Sequence, residues 1–191
     1  TLSNVAAMKA DGTVSKIIVL INSANALQVD FLKDNTYNVD ACLWIGDVGI
    51  TGINAVADIL AGNVNPSGSL VDTYCYDNMS SPAMANFTPV TYEGYTEELV
   101  PEKAKSYMVY QEGIYVGYKY YETRYEDTVM GTGNAGSYVY SDDVAFPFGY
   151  GLSYTDFEYS DMTGVYDAAT DSYNFNVTVT NTGDTYSGKE T

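Results

Sequence analysis

The sequence predicts a layered α/β sandwich, present in part, followed near its carboxyl end by the first strands of an all-β sandwich. A β-branched apolar run at 16–21 and a second, largely apolar run at 39–45 have the length of strands in a buried parallel sheet. From residue 155 onward apolar and polar residues alternate, which is typical of antiparallel strands with one buried face. A hydrophobic fraction of 46% is sufficient for a folded core.

The first 75 residues alternate between helical and strand patterns. A helix is predicted at 2–10 and strands at 16–21 and 39–45, with glycine turns and helix caps between them. Two further helices are predicted because apolar residues recur on one face, at Leu27, Phe31 and Leu32 and again at Ile53, Val56, Ala57 and Leu60. The glycine loop 46–52 precedes the second of these helices. This order is typical of an α/β domain with right-handed crossovers.

Beyond residue 75 the spacing of apolar residues becomes irregular, and near the carboxyl end it changes to the alternation that is typical of β-strands. A long surface loop is predicted at 76–105, a strand at 107–121 and a flexible tip rich in Gly, Asn and Ser at 128–143. The aromatic segment 146–151 has the composition of a rigid linker, and a turn at 167–171 predicts a β-hairpin. Only about 35 residues remain for a sandwich that needs about seven strands. We therefore expect this chain to be a piece of a larger protein.

Charge and missing residue types exclude several classes of function. Lys+Arg 8 against Asp+Glu 25 gives a net charge of −17, so binding to nucleic acid or an anionic membrane is not expected. The absence of histidine excludes a Ser-His-Asp triad, a Cys-His dyad and the histidine zinc helix. No apolar run approaches the roughly 18 residues of a membrane-spanning helix. Cys42 and Cys75 lack metal-ligand spacing, and unpaired, partly buried thiols are favoured over a disulfide.

Five segments in a fixed order carry a family pattern across nearly the whole chain. They are 17–25 (IIVLINSAN), 44–68 (WIGDVGITGINAVADILAGNVNPSG), 112–121 (EGIYVGYKYY), 146–154 (FPFGYGLSY), and 177–183 (VTVTNTG) with 188–190 (GKE). Together they resemble glycoside hydrolase family 3, the β-glucosidase-type enzymes. The resemblance implies that 1–153 is the carboxyl-terminal part of the family's α/β-sandwich domain, and that 154–191 begins its fibronectin type III-like domain.

The resemblance also implies a retaining, exo-acting hydrolase of terminal β-D-glycosidic bonds, with two catalytic carboxyl groups about 5 Å apart. In the family, the nucleophile is an aspartate of a TIM barrel and the acid/base glutamate lies in an earlier loop of the sandwich domain. Neither motif is present here, so no catalytic residue is assigned and the segment alone is expected to be inactive. No cofactor or metal is implied. The expected partners are a β-linked oligosaccharide or an aryl or alkyl β-glycoside, and the TIM-barrel domain of the same chain, whose order relative to this segment stays open.

Trp44 and Asp47 are the candidate substrate-binding residues. They lie at the end of a predicted strand, at the edge where ligands of open α/β sheets bind. There an indole would stack on a sugar ring and a carboxylate would accept its hydroxyl groups. The alternative is that Trp44 belongs to the core and that the glycines of 46–52 only let a helix pack close to the sheet.

Three other groups of side chains have both a possible functional role and a structural one. Glu112 is the carboxylate that best suits a general acid, but it opens a predicted strand, which favours a structural role. Glu122, Glu126 and Asp127 lack the spacing of an EF-hand loop, and a solvated acidic loop is favoured over a calcium site. A tyrosine stripe is either a carbohydrate platform or packing, of which packing is favoured: Tyr115, Tyr118, Tyr120 and Tyr121.

A function of a different class stays open, namely a non-catalytic carbohydrate-binding or domain-assembly module. The presence of a barrel with a catalytic aspartate in the native chain would separate the two. The substrate class favours an extracellular or cell-surface location, with a cytoplasmic enzyme acting on imported disaccharides as the alternative.

Overall fold

The computed structural model describes residues 1–94 and 106–184, which fall into two compact units. The first contains Thr1–Asp47 and Val71–Phe148, and the second contains Val48–Leu70 and the chain from Gly149 onward. The helices are α1 (Leu2–Ala10), α2 (Gly49–Leu60), α3 (Pro82–Ala85), α4 (Tyr118–Met130) and α5 (Tyr140–Asp143), with 3-10 turns at Asp30–Leu32 and Asn78–Ser80. The strands are β1 (Ile18–Ile21), β2 (Ala41–Trp44), β3 (Tyr74–Cys75), β4 (Val90–Thr91), β5 (Ser106–Tyr107), β6 (Val144–Phe146), β7 (Phe157–Asp167) and β8 (Ser172–Asn181).

These elements confirm the predicted partial α/β fold followed by the start of a β domain. Part of the loop predicted at 76–105 and the family segment 188–190 lie outside the described residues. The described part of that loop contains a 3-10 turn, α3 and β4. Among the described residues, no helix has the length and apolar character needed to cross a bilayer.

The first unit begins with the predicted helix and parallel pair of strands. α1 has the predicted bounds, and β1 pairs with β2 in parallel from Ile18 opposite Ala41 to Ile21 opposite Trp44. Parallel strands cannot be joined by a tight hairpin, so the connection between them runs through the 3-10 turn. Because both strands point the same way, Ile21 and Trp44 end at one edge of the sheet.

A charged cluster ties the end of α1 to the residue that precedes β2. The carboxylate of Asp40 accepts hydrogen bonds from Lys9 Nζ at 2.6 Å, Lys16 Nζ at 3.1 Å and the Ile17 N–H at 2.7 Å. These donors, above all Lys9, hold the pKa of Asp40 far below its ordinary value because they stabilise the ionised carboxylate. Lys9 also donates to the Asn38 carbonyl at 2.7 Å, so one side chain fixes helix and strand together.

Two details of this region differ from the predictions. β1 is covered on one face only: Ile17 and Ile21 are buried, whereas Ile18 on the opposite face is 46% exposed. The helix predicted around 27–32 is also wrong, because only the 3-10 turn Asp30–Leu32 forms. The Val29 N–H donates instead to the carbonyl of Cys75 at 3.1 Å, a tertiary hydrogen bond that takes the donor an α-helix would use.

The core of the first unit lies where α4 meets the antiparallel pair β3–β6. Tyr121 of α4 is 2% exposed and packs with Cys75 and Val144. The strand predicted at 107–121 is therefore wrong: only its first residue, Tyr107, lies in a strand, 108–117 forms turns and irregular structure, and α4 begins at Tyr118. Gly117, with φ of 57°, turns the chain into the helix.

The tip predicted at 128–143 is wrong at both ends, which belong to α4 and α5, whereas 131–139 contains no helix or strand. The tyrosines of α4 recur with helical spacing, and their rings meet those of other segments. The Tyr118 ring lies 4.6 Å from that of Phe148, and the Tyr125 ring 4.8 Å from that of Tyr140. The strand prediction followed the high strand propensity of tyrosine, although Tyr118, Tyr121 and Tyr125 recur at the helical spacing i, i+3, i+7.

The second unit combines α2 with two segments that lie side by side. α2 confirms the predicted helix, and Gly62 follows it with φ of 76°. Asn65 Nδ2 donates to Ser153 Oγ at 3.0 Å, and its Oδ1 accepts from the Tyr154 N–H at 3.0 Å. The Leu70 N–H donates to the carbonyl of Tyr150 at 2.8 Å. The segment 65–70 that follows α2 is thereby joined to the segment 150–154.

The predicted hairpin is confirmed as the antiparallel pair β7–β8, which closes with Asp167 opposite Ser172. A β-bulge interrupts the register between Ser160 and Thr163, and Asp161 within it has φ of 53°. Because β7 has one extra residue at the bulge, odd-numbered residues before it and even-numbered residues after it lie on the same face. Tyr159, opposite Val179, and Tyr166, opposite Tyr173, therefore share the apolar face of the hairpin. The bulge thereby keeps one continuous apolar face on the hairpin.

Candidate functional site

The carboxyl edge of the parallel pair brings together the strand ends that the sequence singled out. Asn22 and Ser23 follow β1, and Trp44 closes β2 opposite Ile21. Gly46 and Asp47 follow Trp44 directly on the chain. Loops at the carboxyl ends of parallel strands are where open α/β sheets bind ligands. We call residues 22–25 and 44–47 the carboxyl-edge site.

The Trp44 indole is held in place by backbone on two sides. Its Nε1–H donates to the carbonyl oxygen of Ser23 at 2.9 Å. The buried Gly46 lies beside the six-membered ring, where a Cβ would stand 3.3 Å from Cζ2 of Trp44. Trp44 is nevertheless 38% exposed, so the ring is anchored at the edge of the sheet without being enclosed by the described residues.

The Ser23 carbonyl is itself fixed by a local turn. The Ser23 hydroxyl donates to the Asn25 carbonyl at 2.8 Å and accepts from the Asn25 N–H at 3.2 Å. This pair of bonds constrains the backbone that receives the indole N–H. The hydroxyl group of Ser23 is thus engaged in positioning the loop.

Asp47 is exposed at the same edge, three residues after Trp44. The structure therefore places both predicted residues in the carboxyl-edge site, and their contact with a substrate stays a prediction. A tryptophan and a carboxylate at one edge offer an apolar face and a hydrogen-bond acceptor, which are the two kinds of surface that a pyranose ring presents.

An apolar groove of about 520 Å³ borders the carboxyl-edge site. Its polar lining residues are Thr1, Asn22 and Ser23, and the remainder is formed by apolar side chains of α1, β1 and the segment after β1, among them Leu2, Val5, Leu20, Leu27 and Phe31. Seven of the ten lining residues are apolar, and none carries a charged side chain. The groove is suited to packing against another apolar element.

The acidic candidates lie outside the carboxyl-edge site. Glu112 belongs to a turn in which its carbonyl accepts from the Tyr115 N–H at 3.0 Å. Glu122, Glu126 and Asp127 lie on α4, so the acidic loop predicted for them is wrong. Glu122 accepts a hydrogen bond from the Tyr140 hydroxyl at 2.5 Å. Within 1–94 and 106–184, no group of three His, Cys, Asp or Glu side chains is arranged to hold a metal ion.

The tyrosine stripe divides between core and surface. Tyr121 is buried, and its hydroxyl is hydrogen-bonded to Ser80 Oγ at 2.8 Å. Burial raises the pKa of Tyr121 well above its ordinary value because the phenolate would be desolvated. Tyr115 and Tyr118 are 47% and 39% exposed. The packing role therefore holds for Tyr121 and for Tyr120, which packs against the same core, whereas Tyr115 and Tyr118 keep exposed rings.

Both cysteines are free thiols in the described structure, as predicted. Cys75 is 4% exposed in the core of the first unit, and burial raises the pKa of its thiol. Burial likewise raises the pKa of the Cys42 thiol on β2. A raised pKa lowers the thiolate fraction at neutral pH, so neither is suited to act as a nucleophile.

Two residues of the carboxyl-edge site were missed by sequence reasoning. Ser23 contributes a carbonyl group, which every residue has, so its side-chain type gave no signal. Gly46 did carry a signal, because a glycine two residues after an exposed tryptophan can approach its ring closely. The site in the structure thus consists of Trp44, its two backbone supports and Asp47.

The family model described as the glycosyl hydrolase family 3 C-terminal domain matches residues 2–118, which include both strands of the parallel pair. The chain belongs to glycoside hydrolase family 3. The resemblance seen in the sequence is thereby confirmed.

Curated relatives of this family 3 chain are also named as glycosidases. A β-glucosidase of Ruminococcus albus is 32% identical over 152 residues, which are 80% of this chain and 13% of the relative. An exo-α-(1→6)-L-arabinopyranosidase of Bifidobacterium breve is 36% identical over 170 residues, which are 88% of this chain and 18% of the relative. The chain thus spans less than a fifth of the length of these relatives.

A solved structure of a family 3 enzyme shows the same fold. β-Glucosidase 3B of Thermotoga neapolitana, in complex with α-D-glucose, aligns with a TM-score of 0.65 and 31% sequence identity. The alignment covers 95% of this chain and 21% of the T. neapolitana chain. The similarity extends over both the α/β part and the hairpin that follows it.

Proposed function

We propose that this chain is part of a retaining, exo-acting β-glucosidase-type hydrolase that cleaves terminal β-D-glycosidic bonds. The observation that carries the proposal is the similarity to the R. albus β-glucosidase over 80% of the chain. The substrate class is β-linked oligosaccharides or aryl and alkyl β-glycosides. A neutral substrate agrees with the net charge of −17, which would repel anionic ligands.

The catalytic carboxyl groups belong, in this proposal, to parts of the protein outside these 191 residues. A retaining hydrolase needs a nucleophile carboxylate and an acid/base carboxyl about 5 Å apart on opposite sides of the scissile bond. Neither Glu112 nor Glu122 has a catalytic role in the proposal: Glu112 belongs to a turn outside the carboxyl-edge site, and Glu122 accepts the Tyr140 hydroxyl. The nucleophile is assigned to a TIM-barrel domain of the same protein.

Exposed apolar side chains among the described residues support such a partner domain. Ile50 of α2 is 95% exposed, and Ile114 and Met162 are 72% and 75% exposed. Large exposed apolar side chains in number are typical of surfaces that another protein element covers.

The role proposed for the carboxyl-edge site is to bind the sugar without taking part in bond cleavage. The anchored Trp44 ring would pack against the apolar face of a pyranose, and Asp47 would accept hydrogen bonds from its hydroxyl groups. Both contacts orient the glycoside relative to carboxyl groups supplied elsewhere. We place the enzyme outside the cell or at its surface, with action on imported disaccharides in the cytoplasm as the alternative.

The test begins with the intact mass of the native protein under denaturing conditions, followed by hydrolysis of p-nitrophenyl β-D-glucoside. A mass several times 20.8 kDa together with β-glucoside hydrolysis and retained anomeric configuration is the expected result. A long native chain that hydrolyses no β-glycoside would refute the proposal. Trp44→Ala and Asp47→Asn should raise KM more than they lower kcat, because binding contacts are lost.

A second candidate is a non-catalytic carbohydrate-binding or domain-assembly module. The apolar groove beside α1 favours assembly, since it is suited to another protein element. A native mass of 20.8 kDa would support this candidate against the enzyme.

A further inference from the structure

We propose that Gly46 is a positioning residue that sets the sugar affinity of the carboxyl-edge site by fixing the plane of the Trp44 ring. The inference rests on the proposed function, because it takes the glycoside as the ligand of Trp44. It adds a residue that touches neither the sugar nor the reacting atoms. Trp44 is the sole tryptophan of the sequence, so no other indole in these 191 residues can replace it.

Gly46 is required by two separate features of its place in the fold. Its φ of 58° lies in the left-handed region, which costs most side chains about 1 kcal/mol or more. Independently of that strain, a Cβ would stand 3.3 Å from Cζ2, 3.6 Å from Cη2 and 3.7 Å from Cε2 of Trp44. Carbon atoms pack best at about 3.5–4.0 Å. The ring would therefore have to tilt or slide away from the backbone.

The indole has little freedom to absorb that movement without loss. Its Nε1–H is bound to the Ser23 carbonyl at 2.9 Å, and that carbonyl is constrained by the Ser23–Asn25 turn. A ring displaced by a Cβ at position 46 either stretches this hydrogen bond or pivots about it. Both changes alter the angle at which the ring meets a pyranose, and stacking on a flat ring depends on that angle.

The chain contains a matched control for the backbone strain. Gly113 has φ of 59°, within one degree of Gly46, and a Cβ there would find no atom within 4 Å. Gly46→Ala and Gly113→Ala therefore impose the same left-handed alanine, but only the first presses on an aromatic ring. Comparing the two variants separates strain from displacement of the indole.

The experiment measures kcat and KM for p-nitrophenyl β-D-glucoside in the native full-length protein and its variants. Gly46→Ala should raise KM about fivefold, equivalent to about 1 kcal/mol, with kcat within about twofold. Gly113→Ala should leave both constants near the wild-type values. In a Trp44→Ala background, Gly46→Ala should add no further rise in KM, because the two residues act through one ring.

A second readout does not depend on activity. With 5-fluorotryptophan incorporated and the Trp44 resonance assigned by its loss in Trp44→Phe, Gly46→Ala should shift that ¹⁹F signal and Gly113→Ala should not. If Trp44→Ala raises KM and Gly46→Ala leaves it unchanged, the positioning role is wrong while the sugar contact stands. If Trp44→Ala leaves KM unchanged, both the contact of Trp44 with the sugar and the positioning role of Gly46 are wrong. If no glycoside is hydrolysed, the proposed function fails, and an unshifted ¹⁹F signal in Gly46→Ala would overturn the positioning of the ring as well.

Discussion

Removing the Tyr121 side chain should destabilise the first unit far more than removing a neighbouring tyrosine of the same helix. Tyr121 is 2% exposed and packs with Cys75 and Val144, so truncation to alanine leaves a cavity and costs about 3–5 kcal/mol. Tyr121→Phe removes only the hydroxyl. Because the Ser80 hydroxyl still donates to the Asp77 carbonyl at 2.7 Å, it keeps a partner, and the loss is about 1 kcal/mol.

Urea unfolding followed by far-UV circular dichroism measures both changes, with the variants compared at the midpoint of the transition that α4 reports. Tyr125, one helical turn further along α4 and 47% exposed, provides the matched control. Tyr125→Ala should cost about 1 kcal/mol, mainly from its ring contact with Tyr140 at 4.8 Å. Equal losses for Tyr121→Ala and Tyr125→Ala would refute the assignment of Tyr121 to the core.

Three further predictions concern charge, close packing and thiol reactivity. The donors around Asp40 lower its pKa below the ordinary 3.8, so the stabilisation is present above that value and is lost as pH falls through the lower, folded-state pKa. The melting temperature of Asp40→Asn should therefore be lower than that of the wild type at pH 7, and the difference should disappear in strong acid. A difference in melting temperature that does not depend on pH would contradict the role of the ion cluster. At Gly164 a Cβ would stand 2.8 Å from Cε1 of Phe175, so Gly164→Ala should lower the melting temperature of the hairpin. The measurement follows the loss of NMR contacts between β7 and β8 on heating. An unchanged melting temperature would show that the Phe175 ring moves aside freely. Cys75 should resist alkylation by iodoacetamide until the protein unfolds, since it is 4% exposed and burial raises its pKa; rapid labelling of the native protein, mapped by peptide mass, would show that the core opens.

The comparison of α1 with α4 shows which elements could be predicted. α1 was predicted with its observed bounds because it ends at a plain glycine turn, and the hairpin was predicted because its two strands alternate. α4 was missed because its tyrosines have strand propensity while their spacing is helical. Around Val29 the failure had another cause, since the hydrogen bond to Cys75 joins segments far apart in the chain.

The carboxyl-edge site could be predicted in part for a similar reason. Trp44 and Asp47 were identified from their position at the end of a strand, which is local information. The support of the indole by the Ser23 carbonyl could not be inferred, because it depends on how β1 and β2 align and on the direction of one carbonyl group, whereas the glycine at position 46 is visible in the sequence.

The sequence by itself determined the family, the parallel pair, the hairpin and the exclusion of histidine chemistry, because motif order, periodicity and composition are properties of the chain alone. Only the tertiary structure decided that Tyr121 is core while Tyr118 is partly exposed, that β1 is covered on one face, and that the Trp44 ring is anchored to backbone. Those outcomes depend on contacts between residues distant in sequence. A local pattern limits which residues can make such contacts, and the packed fold selects the ones that form.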